Sequence, residues 1–304
     1  MAKMVIALIG PTAIGKTSRA ITLANHFNTE IVSTDSRQFY KEMSIGTAVP
    51  SAEELGQARH HFIQHLSIFD TYTVGAFEQD ALRRLQIIFK NKDVVIVVGG
   101  SALFMDALLY GLDDFPAIDS NIRNELNTSY QAYGISFLQS QLKELDPDYY
   151  SKVDLNNPHR IIRALEVCIS SGVPYSSFLG KKAQVRPFSS VLIGLHADRE
   201  VIYQRINKRV DKMMESGLLE EAKALYPHRN LNALNTVGYK EIFAFIEGKN
   251  TLSEAVEEIK KNTRRFAKRQ LTWYRKNKSI EWLDYNLPEK DFIEAVHAKI
   301  QSRT

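Results

Sequence analysis

The chain has 304 residues, 44% hydrophobic and 24% charged, proportions close to those of an ordinary globular protein. No apolar run approaches the roughly 20 residues needed to cross a bilayer; the first, Met4–Ile9, runs straight into a glycine loop without the layout of a secretory signal, so a cytoplasmic protein with no membrane contact is expected. A single cysteine, Cys168, excludes an internal disulfide framework and a cysteine-rich metal cluster, and a net charge of +4 is too small to establish a nucleic-acid partner by itself.

Met4–Ile9 reads as a buried parallel strand, and Gly10-Pro11-Thr12-Ala13-Ile14-Gly15-Lys16-Thr17 follows it directly. This is a complete G-x-x-x-x-G-K-T with an amphipathic helix, Gly15–Phe27, behind it, which is the context a phosphate loop needs. The glycines let backbone N–H groups wrap around phosphate oxygens, and the helix N-terminus adds partial positive charge. Lys16 reaches an outer phosphate, and Thr17 is placed to ligate Mg²⁺. A polyphosphate ligand follows, either a nucleoside triphosphate or another diphosphate. The second strand, Glu30–Thr34, delivers Asp35 at its carboxyl end, where open α/β sheets place their ligand crevice. A carboxylate there could accept a hydroxyl proton, as in a kinase, or an amine proton during transfer to nitrogen. Capping of the next turn is the structural alternative.

Helices over Val74–Lys90 and Ser101–Leu109 flank a third strand, Val94–Val98, and such alternation implies right-handed crossovers. The core is therefore read as α/β, a P-loop NTPase-like, doubly wound, mostly parallel sheet. Beyond it, helical segments Asn121–Tyr133, Ser136–Leu145 and Pro158–Ser170 follow one another with no strand-like run. We read residues 116–187 as a helical insertion domain edged by Pro116 and Pro187, and residues 1–115 with 188–304 as the core. Cys168, within the apolar stretch Ile161–Ile169, reads as a buried small hydrophobe.

A fourth strand, Val191–Leu195, precedes a mostly helical remainder, with Asp198 a candidate cap for a helix reaching about Ser216. Arg205 and Arg209 share one face of that helix; a solvated basic stripe with Lys208 and Lys212 is the alternative. Lys260–Lys278 holds nine basic residues and no acidic one, and at about 100° per residue all fall within half a helix circumference. Ile259, Phe266 and Trp273 occupy the other half, so one face is expected to pack on the core while the other meets phosphates. Ser279–Leu283 is a candidate fifth strand.

Asp35 opens Asp35-Ser36-Arg37-Gln38-Phe39-Tyr40, and Ile45-Gly46-Thr47-Ala48 follows. Together with the phosphate loop these spell G-P-T-A-x-G-K-T, D-S-x-Q-x-Y and I-G-T-A in order, and on them the chain resembles the tRNA dimethylallyltransferase family. Further blocks extend the resemblance over nearly the whole chain: Val98–Ser101, Asn157–Glu166, Val237–Glu241 and Ala267–Trp273. The resemblance implies transfer of a dimethylallyl group from dimethylallyl diphosphate to the exocyclic N6 of an adenosine beside the anticodon of tRNA. In that reading Gly10–Thr17, with Arg205 and Arg209, hold the diphosphate, and Mg²⁺ on Thr17 supports its departure. Asp35 takes the amine proton and Ser101 offers a hydroxyl to the acceptor.

Carried over in the same way, Asp35, Ser36, Arg37, Gln38 and Ser101 meet the extruded nucleotide. Arg123, His159, Arg160, Ile161, Ile162 and Arg163 contact the anticodon stem-loop, and on the basic helix Arg264, Lys268 and Arg275 are candidate phosphate contacts. The chain departs from the family pattern at Ser101 (usually Thr), Ala102 (Gly), Phe104 (Tyr) and Val49 (Lys). A monomer is expected. The competing readings are a free-nucleotide prenyltransferase acting on AMP or ADP, an ATP-dependent small-molecule kinase, and a non-catalytic nucleotide-responsive RNA binder.

Overall fold

The computed structural model describes residues 3–116, 118–180 and 184–302. Strands β1 (Met4–Ile9), β2 (Ile31–Ser33), β3 (His60–His61), β4 (Val94–Val98), β5 (Ser189–His196) and β6 (Glu281–Asp284) form one sheet. Its order is β3-β2-β4-β1-β5-β6 and every pairing is parallel. Alternate residues of β1 enter different cores: Val5, Ala7 and Ile9 pack on one face, Ile6 and Leu8 on the other. A strand apolar on both faces is what a sheet covered by helices on both sides requires.

β2 is one residue shorter at each end than the expected Glu30–Thr34, and β5 extends the expected Val191–Leu195 by two residues at its start and one at its end. The two-residue edge strand β3 was not expected, because His60-His61 carries no β-branched run and pairs only with Ile31 and Val32. β6 begins at Glu281 and not at Ser279 because Asn277 Oδ1 accepts the Ser279 N–H at 2.9 Å and its hydroxyl at 2.7 Å. That side chain closes a turn before the strand can start.

The helices in chain order begin with α1 (Lys16–His26), α2 (Ala52–Gln57), α3 (Val74–Ile88) and α4 (Ala102–Tyr110). Next come α5 (Ser120–Tyr133), α6 (Ile135–Leu145), α7 (Pro147–Tyr150) and α8 (Pro158–Ser171). The chain ends with α9 (Arg199–Glu215), α10 (Leu218–Leu225), α11 (Tyr239–Ile246), α12 (Leu252–Tyr274) and α13 (Glu289–Gln301). Asp198 stands at the N-cap of α9 with extended backbone, but its side chain makes no capping bond.

α12 opens with a complete capping box between Thr251 and Glu254. It stops at Tyr274, short of Lys278, so Arg275 is its cap and Lys276 and Lys278 lie beyond it. Its buried stripe is Ala255, Ile259, Ala267, Gln270 and Tyr274, while Phe266 and Trp273 are exposed. The expectation that Phe266 and Trp273 face the core is thus corrected.

Residues 1–110 with 186–304 form one compact unit, and residues 111–185 a second. The second unit has its own core, in which Leu126 of α5, Leu138 and Leu142 of α6, and Ile161, Ile162, Ala164 and Leu165 of α8 pack together. α8 is delimited by Asn157, whose side chain accepts the Arg160 N–H, by Pro158 in its first turn, and by Gly172 in the left-handed region behind it. Cys168 is buried, and burial raises its thiol.

Asp146, fully buried, caps α7 through the Tyr149 N–H at 2.9 Å. It also accepts the Ser176 N–H at 2.6 Å and the Ser176 hydroxyl at 2.8 Å. Asp146→Ala strands these donors, at a cost of about 1–3 kcal/mol per buried unsatisfied group. The expected outcome is loss of hydrogen-exchange protection at the Tyr149 and Ser176 amides and a lower urea midpoint; unchanged protection would show that Asp146 does not hold this turn.

Candidate active site

Gly10 follows β1 with φ +148°, and a Cβ there would sit 2.9 Å from the Leu195 carbonyl oxygen of β5. Only glycine lets the chain turn this close to its neighbouring strand. Ala13 and Gly15 also have positive φ, and α1 begins at Lys16. Lys16 Nζ donates to the carbonyls of Gly10 at 2.9 Å and Pro11 at 2.8 Å, so one of its three N–H donors remains for a ligand.

Two further side chains brace this loop. Arg205 Nε donates to the Ala13 carbonyl at 2.7 Å. Gln270 accepts the Thr12 N–H at 2.9 Å and donates to the Gly100 carbonyl at 2.8 Å, tying the glycine loop to the turn after β4. The loop borders a cavity of about 710 Å³ that includes Lys16, Thr17, Asp35, Arg205 and Arg209.

Asp35 follows β2. Its Oδ1 accepts the Arg37 N–H at 3.2 Å, while Oδ2 lies where a Cβ on Gly100 would come within 3.3 Å. The carboxylate therefore both caps its own turn and lies against the Gly100 turn that Gln270 ties to the phosphate loop. A second cavity, of about 560 Å³, shares Thr12, Asp35, Gly100, Arg209, Phe266 and Gln270 with the first. It adds apolar walls from Val210, Met213, Val237 and Trp273. At its edge Ser101 Oγ accepts the Ser36 N–H at 3.1 Å and lies 2.9 Å from the Ser36 hydroxyl.

Burial lowers Lys16 to about 8, with Asp35 opposing the shift and Arg209 adding to it. Arg209 is likewise lowered by burial and supported by Asp35.

The structure thus brings Thr12, Ala13, Ile14, Gly15, Lys16, Thr17, Asp35, Ser36, Gln38, Ser101, Arg205 and Arg209 around two adjoining cavities, while Gly10 and Pro11 line neither and hold Lys16 through their carbonyls. Arg37 lines one of them, but its guanidinium is committed to the carbonyls of Asn232, Ala233 and Asn235. Phe104 borders the apolar cavity and packs against Phe39 and Phe77, and Val49 borders the loop cavity.

On α12, Arg264 donates to Asn207 at 2.7 Å, while Lys268 and Arg275 are exposed. In the second unit His159 and Arg160 are exposed at the start of α8. Arg123 and Arg163 both bind the buried Glu166, at 2.6–2.8 Å. Ile161 and Ile162 are 0% and 4% exposed, so as core residues they present no surface to a ligand, and their reading as direct contacts is corrected.

Gln270, Phe266 and Trp273 were given no role in the site by the sequence reading. The available signal was a glutamine set into the apolar spacing Ala267, Gln270, Tyr274. A polar side chain in a buried stripe needs partners.

Among the described residues no cluster of three His, Cys, Asp or Glu side chains could hold a metal ion. Thr17 lines the loop cavity, and a divalent cation that retains waters and takes few protein ligands would fit beside its hydroxyl.

A half-buried glycine loop and a carboxylate that line one crevice, at the carboxyl ends of a parallel sheet, define a group-transfer enzyme of the phosphate-loop class. Residues 38–277 match the IPP transferase family. The tRNA dimethylallyltransferase of Flavobacterium johnsoniae is 56% identical over 99% of both chains, and that of Christiangramia forsetii is 56% identical over 99% of this chain and all of its own. The crystal structure of the tRNA isopentenylpyrophosphate transferase of Bacillus halodurans is similar with TM-score 0.71 and 36% identity, covering 99% of this chain and 96% of that one. A eukaryotic dimethylallyltransferase acting on tRNA is similar with TM-score 0.78 and 26% identity, covering 93% of this chain and 74% of that one. The chain belongs to the IPP transferase family.

A bound diphosphate raises the Lys16 pKa from about 8 by placing opposite charge beside it. The affinity contributed by this cation is therefore complete below about pH 8 and is lost as pH rises from there to the raised value. Across that window inorganic diphosphate should weaken by up to about tenfold per pH unit and take up a proton on binding. Calorimetry in buffers of different ionisation enthalpy measures both; affinity independent of pH with no proton uptake would reject the shifted lysine.

Proposed function

We propose that this chain transfers a dimethylallyl group from dimethylallyl diphosphate to the N6 of an adenosine beside the anticodon of tRNA, releasing diphosphate. The observation that carries this reading is that Asp35 borders both the phosphate-loop cavity and the adjoining apolar one. A carboxylate at that junction can meet an amine on one side while a leaving group is held on the other.

The N6 lone pair attacks the prenyl carbon that bears oxygen. The carbon–oxygen bond breaks and its electrons leave with diphosphate, while Asp35 takes the N6 proton. Negative charge grows on the leaving oxygens and meets Lys16, the loop N–H groups, Arg205 and Arg209. Mg²⁺ held by Thr17 and the diphosphate would supply further neutralisation of that charge. The apolar walls of the second cavity suit a purine ring and a prenyl chain. The target base has to leave its stack to enter, and a loop base does so at lower cost than a paired one.

Around it, Ser36, Gln38 and Ser101 meet the extruded nucleotide. Arg123, His159, Arg160 and Arg163 meet phosphates of the anticodon stem-loop, as do Arg264, Lys268 and Arg275 of α12. The protein acts as a monomer in the cytoplasm, where its tRNA substrate is found.

Asp35→Asn keeps the shape of the side chain and removes the proton acceptor. It should lower kcat by about 10²–10⁴ and leave tRNA affinity within a factor of about three. Mass spectrometry of nucleosides from tRNA incubated with Mg²⁺ and dimethylallyl diphosphate reads the product, with AMP as a parallel acceptor. Labelling of AMP alone would replace tRNA by a free nucleotide, and full activity of the variant would remove Asp35 from the chemistry.

A further inference from the structure

Gly46 and Thr47 line the apolar cavity, and Ala48 lines the phosphate-loop cavity. This wall has no strand partner, so its backbone donors must be satisfied otherwise. The N–H groups of Ser44 and Ile45 donate to Glu221 Oε2 at 3.0 and 2.8 Å, and that of Gly46 donates to Oε1 at 2.9 Å. Three successive N–H groups converging on one anion form a nest, and here the anion is a side chain of the distant helix α10.

The phenol of the fully buried Tyr239 on α11 donates to Glu221 Oε1 at 2.7 Å. Burial and the adjacent Glu221 carboxylate push its ionisation far up, so it remains a donor. The same ring packs on Gly46, where a Cβ would lie 2.6 Å from it. Just past the nest, the Thr47 carbonyl receives Gln38 Nε2 at 3.3 Å and Arg209 Nη2 at 3.5 Å, and the Ala48 carbonyl receives Gln38 Nε2 at 2.8 Å.

We infer that Glu221, held by Tyr239, is a positioning residue for prenyl transfer: it fixes the 44–48 wall and, through the Thr47 and Ala48 carbonyls, orients Gln38 and Arg209 beside Asp35. Glu221 acts through these groups and touches no substrate. The inference rests on the transfer reading for what Gln38 and Arg209 contact.

Glu221→Gln keeps the shape but offers one neutral acceptor oxygen and turns an NH₂ group toward the nest. Displacing groups around a reacting centre by about 1 Å costs on the order of a hundredfold, so kcat for tRNA prenylation should fall about ten- to a hundredfold. The dissociation constant for tRNA should move less than about threefold. Residues acting along one route are non-additive; in a Gln38→Ala background the further loss from Glu221→Gln should therefore shrink to about threefold or less.

Tyr239→Phe removes a single bond and keeps the carboxylate, so it should show a smaller kcat loss with the same non-additivity. If Glu221→Gln fails to fold, Tyr239→Phe provides both measurements. A lowered melting temperature with unchanged kcat, or losses that add fully to Gln38→Ala, would overturn the positioning role. Wild-type enzyme assayed alongside separates the two levels: absent prenylation refutes the transfer reading and the inference with it, whereas a working wild type with unaffected variants refutes the inference alone.

Discussion

Charge held partly out of water is the constraint on which the rest of this molecule depends. Lys16, Arg209 and Asp35 meet beyond the ends of strands whose side chains are apolar on both faces. Burial disfavours each of the two cations, and Asp35 offsets part of the cost for both. Such a site is prepared for an anion, because a diphosphate supplies the charge that these groups lack. The parallel sheet makes this arrangement workable: its central strands are largely apolar on both faces, so the chemistry collects in the irregular segments at its carboxyl edge.

Those segments cannot hold themselves by ladder hydrogen bonds, and side chains from elsewhere in the sequence do it. Gln270 joins the phosphate loop to the turn after β4, and Arg205 holds the Ala13 carbonyl. Arg37 clamps the 232–235 turn. Each satisfies backbone groups that would otherwise be stranded near an apolar core, where an unmade bond costs more than a made one contributes. Rigidity at the site is thus supplied largely by residues far from it in sequence.

This explains what could be read from the sequence. The central strands, the phosphate loop and Asp35 were legible because each is a local pattern: a β-branched run, a spaced glycine motif, an acid at a strand end. The helices α5, α6 and α8 were legible as helical segments, though not their core residues. Gln270 and Glu221 were not, because their roles exist only once Thr12 and Ser44 are brought beside them by the fold. Ile161 and Ile162 show the opposite failure: a motif that spans a helix contains core residues as well as surface ones, and only burial separates them. The Lys260–Lys278 run misled about its apolar side. Phe266 and Trp273 lie at the edge of the buried stripe, and there they wall the crevice.

The same distinction, charge committed or charge available, sorts the cations of that run. Lys260 is engaged by Asp211 and Glu257, and Lys261 by Glu258. Arg264 and Arg265 hydrogen-bond to the neutral amides of Asn207 and Asn262 and make no ion pair among the described residues, so each keeps its net charge. Lys268, Arg269, Arg275, Lys276 and Lys278 make no ion pair among the described residues. Attraction to a polyanion comes from charge that is not already neutralised, so it concentrates toward the C-terminal half of α12 and the turn beyond it. Arg269 and Trp273 of that same half line the apolar cavity beside Asp35. One stretch of helix therefore presents phosphate-seeking charge outward and a ring-binding wall inward, which places the pull on a nucleic acid next to the crevice that its base would enter.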